Sequence, residues 1–78
     1  MPTMFRRGRY RFFFFSNESH EPMHIHVESD DQHAKFWLDP VSLANSVGYR
    51  AQELNEIRRL VLAHAALCKR RWHEHFGE

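Results

Sequence analysis

Glu21-Pro22-Met23-His24-Ile25-His26-Val27 is the stretch from which the rest of the chain can be read. Side chains of a strand alternate between its two faces. Met23, Ile25 and Val27 therefore point one way, and His24 and His26 the other. Pro22 biases Glu21 towards an extended conformation and so delivers the chain into this strand. One face is built for a core. The opposite face presents two imidazoles side by side.

Upstream, Met4-Phe5-Arg6 and Tyr10–Phe15 read as two strands joined by a tight turn at Arg7-Gly8-Arg9, where Gly8 supplies a positive φ. Phe12/Phe14 and Phe13/Phe15 make the second strand apolar at both parities, so it is covered on both faces or meets a partner. The polar run Ser16–Glu21 follows, with Asn17 suited to a turn. Downstream, Ser29–Gln32 is a reversal marked by Asp30-Asp31. Ala34-Lys35-Phe36-Trp37-Leu38 then alternates again, with Ala34, Phe36 and Leu38 on one face and His33, Lys35 and Trp37 on the other. Short turns between successive strands favour a three- to four-stranded antiparallel meander over residues 1–39.

Asp39-Pro40 has the form of a helix start, an acidic N-cap followed by proline. It predicts a short helix or turn over 40–48, ending near Gly48. One long helix is predicted over 50–76, because Leu54, Ile57, Val61, Ala65, Cys68, Trp72 and Phe76 fall on one stripe at steps of three and four. Arg50 is a poor N-cap there, whereas Gly77 is well placed as a C-cap. Some 26 helical residues span about 39 Å, against about 20 Å for a six-residue strand. The helix must overhang its sheet or kink. Leu60 and Leu67 flank the main stripe, and with the overhanging Trp72 they form the predicted partner-binding surface. The expected fold class is α+β: the meander, the short helical connection, and the long helix against the Met23/Ile25/Val27 face.

The 78 residues form one small domain, near the size where a single core is marginal. Apolar content of 42% with 14% aromatic argues against wholesale disorder. Formal net charge is +1, which does not mark a nucleic-acid binder. It is unevenly spread, however: the first 16 residues carry four Arg and no acid, and residues 17–39 carry six acids and only Lys35. The single Cys68 excludes an intramolecular disulfide and points to a reducing, cytoplasmic setting. The Phe12–Phe15 run is too short for a signal peptide or a membrane span.

Tyr10-Arg11-Phe12-Phe13-Phe14-Phe15-Ser16-Asn17-Glu18, the Pro22–Val27 segment, Ala34-Lys35-Phe36-Trp37-Leu38-Asp39-Pro40 and Glu53-Leu54 together resemble the small bacterial proteins grouped as domain of unknown function 4160. The likeness runs from Met1-Pro2-Thr3 to Trp72-His73-Glu74. In that pattern the extended segment reads Pro-Pro-His-x-His-Val, and Met23 here replaces the second Pro. A small N-cap residue is usual where this chain has Arg50. The resemblance implies a two-protein, toxin–antitoxin-like module, with this chain as the toxin-like member and a small protein encoded nearby as its partner.

Two chemistries suit the His24/His26 face. As general base and general acid they would act on RNA, with Lys35 stabilising negative charge on a phosphorane. Arg11 and Asn17 would then hold phosphate, and Trp37 would stack on a base. That mechanism needs no cofactor. Alternatively, two His at i and i+2 on a strand converge on a divalent transition metal such as zinc. The third ligand would be His20, with Glu28 and His33 as further candidates. The plainest reading is that these side chains cover the second sheet face and meet a dimer mate or a protein partner. P-loop, dinucleotide, zinc-finger and nucleophile-elbow patterns are absent from the sequence.

Overall fold

The alternation around Ile25 becomes the central strand of a five-stranded sheet. The computed structural model describes residues 3–15, 18 and 20–77. Its strands are β1 (Thr3–Arg7), β2 (Tyr10–Phe13), β3 (His24–Ser29), β4 (Gln32–Leu38) and β5 (Val41–Val47), and two helices follow, α1 (Ala51–Ala63) and α2 (Ala65–Phe76). The sheet order is β1-β2-β3-β4-β5, and every neighbouring pair is antiparallel. The fold is α+β, as the sequence predicts, but with five strands where three to four are expected and two helices in place of the single long one.

The extra strand replaces the short helix expected over 40–48. Asp39-Pro40 forms the turn between β4 and β5 and contains a cis peptide bond. Val41 then pairs with Leu38, Ser42 with Trp37 and Leu43 with Phe36. A bulge shifts the register before Asn45 meets Lys35 and Val47 meets His33. Local N-cap chemistry loses here because β4 is seven residues long and would otherwise leave a row of backbone groups unpaired. Val-Ser-Leu-Ala-Asn-Ser-Val is also weak in helix formers and has valine at both ends. Gly48 closes this strand at φ 90°, and a Cβ there would stand 2.9 Å from Cγ of Gln32, which fixes glycine at that position.

The single helix predicted over 50–76 is two helices that meet at His64. The His64 ring stacks on Phe5, centroids 4.1 Å apart, and its Nδ1–H donates to the Leu60 carbonyl at 2.8 Å. This side chain takes up a carbonyl at the end of α1, and His64 itself leaves helical geometry at φ −113°, ψ 16°. The 13-residue α1 spans about 20 Å, matching the strands it crosses. The length problem posed by a continuous helix is thus solved by a break. At the start of α1, Arg50 has no capping side chain. Its backbone N–H instead donates to Glu53 Oε1 at 2.8 Å, one half of a capping box.

Both helices lie on one sheet face. Phe12, Ile25, Val27, Ala34, Phe36 and Leu38 from the sheet meet Ile57, Val61, Cys68 and Trp72 from the helices, all essentially inaccessible. Trp72 is 1% exposed and belongs to this core, so it is not available to a partner as the overhanging-helix reading requires. Leu60 also packs against the core, and Leu67 is half-buried. Phe13, on the opposite parity, is covered by its own neighbours: Arg11 lies over its ring at 4.5 Å, and His26 stacks on it at 5.4 Å. No helix among the described residues is long and apolar enough to cross a membrane.

Candidate metal centre

The two imidazoles of β3 share a parity but not an environment. His26 sits mid-strand opposite Lys35, and His24 begins the strand opposite Trp37. His26 is half-buried. His24 is 0% exposed, enclosed by Trp72 at 5.0 Å, His26 at 5.1 Å and Trp37 at 5.8 Å between ring centroids. Alternation predicts an outward His24. Trp72 of α2, Glu18 and the Pro22 carbonyl close around it instead.

That connection supplies the residue which sequence reasoning missed. Glu18 Oε1 lies 2.9 Å from His24 Nε2 and 2.9 Å from His26 Nε2. The ligating atoms of Glu18, His24 and His26 all fall within 4.8 Å of one another. Expected third ligands lie elsewhere. His20 is 73% exposed and 3.8 Å from Glu21, Glu28 is paired with Arg11, and His33 is exposed opposite Val47. The signal for Glu18 was a carboxylate in the turn just before a His-x-His strand, but its separation from His24 follows no fixed ligand spacing.

Proton positions follow from the partners. A carbonyl can only accept, so His24 Nδ1–H donates to the Pro22 oxygen at 2.8 Å, which leaves the lone pair of the neutral ring on Nε2. His26 Nε2–H donates to both Glu18 oxygens, at 2.9 and 3.2 Å. His24 Nε2, although close to the same carboxylate, is off the direction a hydrogen bond needs and is buried without a partner among the described residues. Its lone pair is therefore unused, with a carboxylate oxygen 2.9 Å away but off its axis. A metal ion on that axis would bond the nitrogen and the oxygen together, which a proton shared between them at this angle would not.

Electrostatics favour a neutral His26 and an ionised Glu18. Burial pushes His26 below its ordinary value and outweighs the opposing pull of Glu18. Burial would raise Glu18, but the His26 N–H donated to it holds its carboxyl below the usual value. Neutral imidazole and ionised carboxylate are the forms that bind metal, and His26 would carry its one ring proton on Nδ1 instead of Nε2 once an ion is bound.

Of the residues proposed for RNA chemistry, His26, Lys35 and Trp37 do lie together. Lys35 Nζ is 2.5 Å from Glu21 Oε1 and 4.6 Å from the Trp37 ring centroid. Its ammonium holds the Glu21 carboxylate below the ordinary range. Arg11 stands on the far side of Phe13, ion-paired with Glu28 and bonded to Thr3 Oγ1 at 3.0 Å. Asn17 lies outside the described residues. An open groove of about 490 Å³ borders His26, lined by Phe13, Phe15, Glu28, His33, Lys35 and Asn45.

No curated protein and no solved structure matches the chain. A family model described as a domain of unknown function, DUF4160, matches residues 10–73, most of the sheet and nearly all of both helices. The chain belongs to that family.

Proposed function

We propose that this protein binds one divalent transition metal ion through Glu18, His24 and His26, with zinc as the first candidate. The observation that carries this reading is the buried Nε2 of His24, which has no partner among the described residues and lies 2.9 Å from the Glu18 carboxylate. Two imidazoles and one carboxylate suit zinc and other first-row ions. The ligand atoms stand 2.9 Å apart along two sides of the triangle, and an ion with bonds of about 2.0–2.2 Å needs only a small further opening. The Pro22 carbonyl on Nδ1–H supplies the outer-shell contact that orients a metal-binding imidazole.

The metal would pin the β2–β3 connection to the sheet. A domain of this size gains from such a cross-link, because its core alone is marginal. Metal-free acid–base catalysis on RNA is less well supported, because His24 is enclosed on all sides and would have to exchange protons with a substrate it cannot reach. A protein partner of the kind the family resemblance implies would meet a surface other than Trp72.

Chelator-treated, tag-free protein titrated with zinc in a calorimeter is the direct test. Binding of one ion per chain, with a rise in the melting temperature, is expected. Absence of heat and of any thermal shift with zinc, cobalt and nickel rejects the reading.

A further inference from the structure

We infer that the metal held by Glu18, His24 and His26 takes an oxyanion, a carboxylate or phosphoryl oxygen, as its next ligand, and that Lys35 makes the second contact to it. This inference rests on the metal reading above. Three protein ligands leave a four-coordinate ion with a position to fill, the arrangement found where the ion meets water or a small molecule. His26 is the one described residue common to the ligand triad and the open groove, so the groove is the approach to that position.

Charge selects the ligand. Two cations, Arg11 and Lys35, face three carboxylates, Glu18, Glu21 and Glu28, around this part of the sheet. Without metal the patch has one negative charge in excess; a divalent ion reverses that to one positive. An anion then restores neutrality in a partly dehydrated site, where the attraction is stronger than in water.

Lys35 is placed to share the load. It lines the groove directly across the ladder from His26. An ammonium has three donors, and Glu21 uses one of them. Phe13 and Phe15, packed edge to face at 5.4 Å, wall the groove and also flank His26, which keeps water from competing freely for the anion.

Cobalt(II) substituted for zinc gives visible bands that report on coordination. Acetate and inorganic phosphate are added in separate titrations to the cobalt-loaded full chain. A saturable change in the bands with either anion is expected; a response to acetate alone assigns a carboxylate ligand, and to phosphate alone a phosphoryl one. Lys35→Met should weaken the response roughly tenfold, and Lys35→Arg should restore much of it, with cobalt stoichiometry unchanged in both. Cobalt bands that neither anion alters overturn the inference and leave the metal reading standing. No cobalt bands at all overturns both. An unchanged affinity in Lys35→Met removes Lys35 from the site.

Discussion

His24 Nε2 lies 2.9 Å from Glu18 Oε1 and is not hydrogen-bonded to it. Both atoms are acceptors in the neutral-ring, ionised-carboxylate state, and the ring cannot turn without giving up its bond to the Pro22 carbonyl. In that state the contact is unfavourable, and in the proposed centre a metal ion would turn it into a ligand pair.

Glu18→Gln should therefore separate two effects. The amide nearly preserves shape, accepts from His26 and can turn an N–H towards the His24 lone pair. Metal-free stability should stay level or rise by up to about 1 kcal/mol, as expected when a buried acceptor gains a partner. Zinc affinity should fall by at least about tenfold, since a charged first ligand is lost and outer-shell losses alone reach that size. Denaturant melts with and without zinc check both halves.

Metal-free stability should fall with acidification. His26 and Glu18 are both held below their ordinary values of 6.5 and 4.5 in the fold. The unfolded chain therefore takes up protons first. The His26 share starts to be lost as pH drops through 6.5 and the Glu18 share as it drops through 4.5, each complete once pH passes below the folded value. Urea midpoints from pH 8 to pH 4 check the sign. Zinc should steepen the dependence, because protons and metal compete for the same nitrogens.

Much of this architecture was legible in the residues. Alternation at Ile25/Val27 and at Ala34/Phe36/Leu38 placed two strands and their inner face, and the Ile57–Trp72 stripe placed the helical layer. Where reading failed, a contact distant in sequence overrode a local signal. β4 recruited 41–47 as a strand despite Asp39-Pro40, and the Phe5 ring met His64 where periodicity ran on unbroken. The His-x-His pair was visible; its third member was not. Glu18 reaches the pair through the fold of a connection, which no strand or helix period encodes. His24 was misjudged as outward for a related reason: parity gives the side of the strand, but only tertiary packing shows that Trp72 closes over it.

Trp72 joins core and site. Trp72→Ala should cost about 3–5 kcal/mol by opening a large cavity against Phe14, Phe76 and His24. Trp72→Phe should cost less but should still expose His24, speeding metal exchange in stopped-flow chelation.

Cys68 should behave as a packing residue. It is fully buried, and burial pushes its thiol up to about 12. A colorimetric disulfide reagent should react with it only after denaturant is added, at neutral pH, with or without zinc. Rapid labelling of the folded chain would mean that α2 does not pack as described.

The most direct measurement is a crystal of the zinc-loaded protein, with diffraction recorded on either side of the zinc absorption edge. An anomalous peak is expected about 2.0–2.2 Å from His24 Nε2, His26 Nε2 and a Glu18 oxygen together. Zinc found only at exposed side chains such as His20 or His73, with His24 Nε2 still facing Glu18 alone, would contradict the proposed centre.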